Sequence, residues 1–142
     1  MEVNLKHKAI ALLSRREHSS YELAQKLSRY TQDLNLINET IAFLKEKDLQ
    51  SDLRFLEYFV HSHSKKWGIN KILLSLKEHR LDDSVLSKIH EFIQTDESEL
   101  AREIWENKFH GIKPSDLKQK AKQYRFLISR GFKPDIIRKI ID

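Results

Sequence analysis

The chain predicts an all-α fold: a tandem array of three three-helix repeats, elongated and curved. Three features lead there. Its 142 residues hold only three Gly and two Pro, too few turn residues for an all-β protein but suited to helices joined by short loops. Apolar side chains recur three or four positions apart along most of its length, the spacing that gathers them on one helical face. Candidate unit starts near Leu5, Asp52 and Glu97 stand 47 and 45 residues apart. Units this short bury too little surface to stand alone, so neighbours are expected to stack in a curved, quasi-linear array. The period suits HEAT and armadillo repeats, three-helix units also suit the helix-turn-helix class, and the period does not choose between them.

The first repeat, residues 1–48, opens with a helix over roughly Leu5 to Arg16. Ala9, Ile10 and Leu13 form its inner face, and Arg15-Arg16 lie near its C-terminal end, where cations suit the dipole. Ser19 followed by Glu22 is a capping-box pattern, so a second helix starts at Ser19 and buries Leu23, Ala24, Leu27 and Tyr30. Beyond Thr31-Gln32-Asp33 a third helix uses Ile37, Ile41, Phe43 and Leu44, ending near Lys47-Asp48.

The second repeat, residues 49–95, begins with an N-cap signal at Ser51-Asp52 and a helix to about Lys66. Phe55, Leu56, Phe59 and Val60 make its buried stripe, and Arg54 is expected to pair with an acidic residue of an adjoining repeat. The helix leads into Lys65-Lys66-Trp67, and Gly68 is placed to end it with a left-handed turn. Trp67 is read chiefly as packing between repeats, which makes this the joint that sets the curvature. A helix from about Ile69 to His79 follows on Ile72, Leu73 and Leu76, and one started by Asp82-Asp83 buries Val85, Leu86, Ile89, Phe92 and Ile93.

The third repeat, residues 96–142, opens on Asp96-Glu97-Ser98-Glu99, another capping box, ahead of Leu100, Ile104 and Trp105. Its second helix starts near Ser115, carries Leu117, Ala121, Tyr124 and Ile128, and stops at Gly131. Pro134 then occupies a first helical turn that leads Ile136, Ile137, Ile140 and Ile141.

Charge is distributed unevenly. The net charge is +5, yet from Lys108 to Lys139 ten Lys and Arg face only Asp116 and Asp135. Just before it, Asp96, Glu97, Glu99, Glu103 and Glu106 face Arg102 alone. Lys118, Lys122 and Arg125 are four and three apart and so share a face, a stripe fit for phosphates or an acidic protein surface. A solvated face is the plainer reading of the same pattern.

Other chemistries find little support. With no Cys, disulfides, thiol catalysis and cysteine zinc sites are excluded. His61 and His63 diverge on a helix, and no His-Glu-x-x-His pattern exists, so no metal is expected. No glycine-rich phosphate loop or nucleophile elbow is present, so neither a catalytic residue nor a cofactor is expected and the chain is read as a non-enzyme. No apolar run approaches about eighteen residues, and Met1-Glu2-Val3-Asn4-Leu5-Lys6 lacks the apolar core of a signal peptide, so a cytoplasmic protein without a membrane partner is expected.

Several stretches together resemble the RecX family of bacterial recombinase regulators. Arg16-Glu17-His18-Ser19 with Glu22-Leu23 and Lys26-Leu27 is similar to that family's opening signature. Ser51-Asp52-Leu53-Arg54-Phe55, Lys65 and Trp67-Gly68 resemble its second, and Tyr124-Arg125-Phe126-Leu127 with Ser129-Arg130-Gly131-Phe132 its third. The chain departs from the family at Ser51-Asp52, where an acidic pair is common, at Ile69, where a proline is common, and in lacking an N-terminal extension some members carry. The resemblance implies a monomer lying along the groove of a RecA protein filament on DNA, limiting ATP hydrolysis, strand exchange and coprotease stimulation in DNA repair, recombination and the SOS response. Single- or double-stranded DNA would be bound weakly. Contacts with RecA or DNA would fall to Arg15, Arg16, Lys26, Lys65, Lys66, Lys71, Lys118, Lys122, Arg125 and Arg130, with Phe55, Trp67, Gly68, Phe126 and Gly131 as structural residues. The rival readings are a stand-alone basic nucleic-acid-binding helical-repeat module, and a structural scaffold.

Overall fold

The computed structural model describes residues 4–142. Met1-Glu2-Val3, half of the stretch read above for a signal peptide, lie outside the described residues. The described residues form α1 (Leu5–Arg15), α2 (Ser20–Leu27), α3 (Leu34–Glu46), α4 (Asp52–His63), α5 (Ile69–Leu76), a 3-10 turn (Lys77–His79), α6 (Asp83–Leu86), α7 (Ile89–Phe92), α8 (Glu97–Phe109), α9 (Leu117–Ser129) and α10 (Pro134–Ile141). The all-α expectation holds: no strand occurs among the described residues. No helix among them is long and apolar enough to cross a membrane. The chain gathers into two compact units, one of residues up to Phe59 plus Lys77–His90, the other of Val60–Leu76 plus Glu91–Asp142.

In the first unit the starts of α1, α2 and α3 are set by side-chain oxygens. Asn4, Ser19 and Asp33 accept the N–H groups of His7, Glu22 and Leu36, each the third residue on. The capping box at Ser19 is only half formed, because the Glu22 carboxylate turns to the Arg16 guanidinium instead of back to the Ser19 backbone. Leu5, Ala9, Leu23, Leu27, Ile37, Ile41 and Leu44 make the core of α1–α3. Two expected core residues are outside it. Ile10 is 41% exposed, since Ala9 and Leu5 set the inner face of α1 one step away. Tyr30 is 46% exposed because α2 ends at Leu27, and the Lys8 ammonium lies 5.1 Å over its ring.

Polar groups join α2 to α4 within this unit. Asp52, in the first turn of α4, accepts the Ser20 N–H (2.8 Å), the Ser20 hydroxyl (3.0 Å) and the Gln50 amide (2.9 Å). Ser51 caps α4 itself through the Arg54 N–H. Arg54 pairs with Asp48 (2.7 Å) and Glu17 (3.4 Å), acids of the preceding sequence repeat, as expected. Phe55 is fully buried beside His79, ring centroids 4.5 Å apart.

His18, buried, donates from Nδ1 to the Arg16 carbonyl (3.0 Å), which leaves Nε2 to accept from the Lys26 ammonium (2.9 Å). Burial first, then the charges of Arg16 and Lys26, hold its imidazole below the ordinary 6.5 despite the Arg16 carbonyl bond and Glu22. His79, whose Nδ1 meets the Ser19 hydroxyl at 2.8 Å, is lowered likewise, chiefly by burial. Burial works to raise the Glu22 carboxyl but is outweighed by the Arg16 hydrogen bond and the charges of Arg16, His18 and Lys26, so it sits below 4.5. All three shifts have one consequence. Below pH 6.5 the unfolded chain takes up imidazole protons that the fold resists, and below 4.5 carboxylate protons as well, so stability present at neutral pH is lost on acidification. The urea midpoint followed by circular dichroism is expected to fall between about pH 7.5 and about pH 5. A level midpoint across that window would contradict the linkage.

Several helix boundaries differ from expectation, and the helix expected to run from Ile69 to His79 ends at Leu76 and passes into the 3-10 turn. The helix awaited from Asp82 to Ile93 is broken into α6 and α7, where the Ser87 hydroxyl bonds back to the Ser84 carbonyl (3.0 Å). Of its five apolar positions only Ile89 is fully buried. α4 stops at His63 rather than Lys66, where the Lys66 N–H closes a tighter i→i−3 bond to the His63 carbonyl (3.0 Å).

In the second unit Leu100, Ala101, Trp105, Leu127, Phe132, Ile137, Ile140 and Ile141 form the core of α8, α9 and α10. Asp96 caps α8, Asp116 rather than Ser115 caps α9, and Pro134 opens α10 as the sequence predicts. α9 is rotated from the expected phase: of the four expected positions Tyr124 packs against the core, but Leu117 is 84% and Ile128 41% exposed, and Ala121 also faces out. Gln123 explains this. It is buried, accepting the Trp105 indole N–H (2.8 Å) and donating to the Ile112 carbonyl (2.9 Å), which brings Leu127 inward with it. A buried indole N–H without a partner is costly, and the hydrogen bond outweighs the apolar periodicity.

Candidate functional site

The basic residues of the second unit singled out above fall into two groups. On α9, Lys118, Lys122 and Arg125 are all exposed, and no carboxylate pairs with any of them among the described residues. Lys120, on the same helix, is instead held by Asp142 at 2.7 Å. Further along, Arg130 is half-buried with its guanidinium 5.1 Å over the Phe126 ring, which also receives Lys108 (5.6 Å) and the edge of Phe109 (5.4 Å). Phe126 is therefore a packing platform that holds cations over its ring.

The second group surrounds Trp67. Its indole stacks on the His63 ring at 4.1 Å with 4° between planes, and the Lys71 ammonium stands 4.5 Å over it. These ring partners come from α4 and α5, the helices on either side of the Trp67 turn. Burial first, then the charges of Lys66 and Lys71, hold the His63 imidazole below its ordinary value. Lys65 and Lys66 point to solvent.

A clasp between two turns holds the groups together. The Gly68 N–H donates to the Arg130 carbonyl (2.7 Å), and the Asn70 N–H to the Gly131 carbonyl (3.2 Å). The two glycines touch. A Cβ on Gly68 would press into the Gly131 carbonyl and lie 2.8 Å from the Phe132 ring; one on Gly131 would lie 2.5 Å from both Cβ and N of Lys71. Gly68 does not take the left-handed conformation expected of it. Only Gly111 (φ 75°) and Gly131 (φ 94°) have positive φ among the described glycines, and Gly68 is required by close approach instead. The clasp fixes the end of α9 against the start of α5, whose Ile69 N–H is capped by Glu97 Oε1 at 2.6 Å. Burial pushes the Glu97 carboxyl up, opposed by that N–H and by Lys133.

The remaining expected contacts lie in the first unit and differ among themselves. Arg15 is exposed, whereas Arg16 is committed to Glu22 and the Glu17 carbonyl, and Lys26 to His18 and Glu22. Sequence reasoning placed Lys108 only within the late basic cluster and did not single out Ile112 and Gln119; all three line a crevice beside Lys122. The loop that carries Ile112 has no periodicity to mark it.

Comparison with known proteins gives a consistent result. A family model described as the third three-helix domain of RecX matches residues 95–141, and one described as its first three-helix domain matches residues 6–44. Regulatory protein RecX of Herminiimonas arsenicoxydans is 41% identical over 132 residues, 93% of this chain and 87% of its own length. Regulatory protein RecX of Vibrio campbellii is 40% identical over 133 residues, 93% and 86% respectively. The crystal structure of RecX from Lactobacillus salivarius matches with a TM-score of 0.74 over 96% of this chain and 92% of that one. At 24% identity that likeness speaks for the fold. The relatives are named as regulatory proteins and not as enzymes.

Proposed function

Because the chain belongs to the RecX family of regulatory proteins, we propose that it binds RecA filaments on DNA and restrains the recombinase's ATP hydrolysis, strand exchange and coprotease stimulation. It acts as a cytoplasmic monomer in three three-helix repeats, without chemistry of its own, and touches DNA weakly. The observation that carries this reading is the α9 face, where Lys118, Lys122 and Arg125 stand exposed with no carboxylate partner among the described residues. Exposed cations that no neighbour neutralises are available to an acidic or phosphate-bearing partner. A regulator shifts a filament only through contacts that differ between its states. The ATPase of preformed RecA filaments on single-stranded DNA is therefore expected to fall as the protein is added. An ATPase unchanged at every ratio would remove the proposal. Tight, steeply salt-dependent binding to bare DNA with no effect on RecA would instead favour a stand-alone nucleic-acid-binding module.

A further inference from the structure

A crevice of about 290 Å³ opens where α8 ends and α9 begins, and its lining has a definite chemistry. Its polar rim holds two ammonium groups and an amide, with the His110 imidazole, which can donate or accept, beside them and no carboxylate among the described residues of the lining. Lys108 and Lys122 reach it with no carboxylate partner among the described residues, and Gln119 joins them. The Gln119 carbonyl oxygen is occupied by the Ser115 N–H (3.1 Å) and hydroxyl (3.0 Å), so what it offers is its amide N–H groups. Gln123, with both ends of its amide engaged by Trp105 and Ile112, makes a fixed floor. The apolar lining is Phe109 and Ile112, and the Ile112 side chain is 66% exposed at the mouth.

Two ammonium groups and an amide donor with no carboxylate beside them select an anion, while an aromatic and an aliphatic wall next to them select a planar apolar body joined to it. A bare phosphate would leave those walls wet, and so would an acidic side chain. We propose that this crevice takes one unstacked nucleotide of single-stranded nucleic acid, its base against Phe109 and Ile112 and its phosphate toward Lys108, Lys122 and Gln119. The requirement for an unstacked base follows from access, since duplex pairing and stacking hide the faces that the walls would cover. Lys122 belongs to both the crevice and the exposed stripe with Lys118 and Arg125. The stripe thus follows the phosphates while the crevice holds a base. This deepens the weak DNA contact of the regulatory reading, and its test omits RecA so that the two can fail separately.

The experiment measures fluorescence anisotropy of a labelled thymidine oligonucleotide and of an abasic strand with the same number of phosphates, each titrated with the full chain at low salt. Losing the bases is expected to weaken binding about ten-fold. Ile112→Ser changes no charge at an exposed position, and is expected to bring the base-bearing strand close to the abasic one, with an unchanged melting curve. Lys122→Gln is expected to weaken both strands alike. Equal affinity for the two strands, no binding of either, or a base-dependent gap untouched by Ile112→Ser would each overturn the proposal. Displacement of the oligonucleotide by polyglutamate at equal charge concentration would assign the crevice to an acidic protein instead, and would overturn it too.

Discussion

Reversing Lys118, Lys122 and Arg125 together to Glu is expected to raise the concentration needed for half-maximal restraint of RecA ATP hydrolysis about a hundredfold or more, while the chain melts within a few degrees of the wild type. The two halves of that expectation have separate grounds. A hundredfold loss corresponds to about 2.8 kcal/mol, a modest sum when three attractive contacts become repulsive against an acidic or phosphate-bearing surface. Stability should hardly move, because the three side chains are exposed and have no carboxylate partners among the described residues to lose. Exposed substitutions of this kind stay within about 0.5 kcal/mol each, and Lys118→Glu places a carboxylate in the first turn of α9, where the helix dipole favours it. Arg16→Ala supplies the contrast. It strips Glu22 of its guanidinium, so it should lower the melting temperature, and it bears on restraint only through folding. Wild-type restraint by the triple variant would exclude the α9 face from the contact.

Replacing either clasp glycine by Ala is expected to be the most damaging single-methyl change in the chain, at about 3 kcal/mol or roughly 10 °C in melting temperature. At Gly131 the backbone is left-handed (φ 94°) and the new Cβ would meet Lys71 backbone N at 2.5 Å. Lys71 cannot give way by a side-chain rotation, so the turn must open. At Gly68 the conformation is not at issue, but the Cβ drives the Gly131 carbonyl away and loosens the Gly68 N–H bond to Arg130 (2.7 Å). Gly111→Ala separates the two causes. Its φ is 75° yet nothing lies within 4 Å of a Cβ there, so it should cost only about 1 kcal/mol, the penalty for a left-handed L-residue. Because Gly68 and Gly131 touch, the double variant should cost less than the sum of the singles. Thermal melts by circular dichroism decide this: a Gly68→Ala protein as stable as the wild type would mean the two turns do not bear on each other.

The same glycines mark how far a sequence can be read. Both are identifiable as helix stops from the apolar runs that precede them, but a stop signal says nothing about what a turn will meet. Gly68 looked like a left-handed cap and is instead a residue kept small by a carbonyl 63 positions later. The cations behave similarly. Lys118, Lys122 and Arg125 share a face by spacing alone, whereas Arg16 and Lys26 look equally available in sequence and are withdrawn by Glu22 and His18. In the same way Phe126 was recognisable as structural, but its service as a platform for Lys108 and Arg130 depends on residues from two helices and a turn.

Local rules determined the helical class, because period-3.6 patterning, caps such as Ser19, Asp33 and Asp96, and Pro134 at a first turn act within a few residues. They also determined that positive charge gathers late in the chain. Tertiary structure decided which periodic face turns inward when a competing polar group must be satisfied. α9 shows this most plainly: of the stripe Leu117, Ala121, Tyr124 and Ile128 only Tyr124 packs against the core, and the inward place went to Gln123, since the Trp105 indole and the Ile112 carbonyl needed partners. Burying a methylene is worth about 0.8 kcal/mol, while an unsatisfied buried donor costs about 1–3 kcal/mol, and that comparison involves residues 18 and 11 positions apart. Spacing along one helix cannot express it.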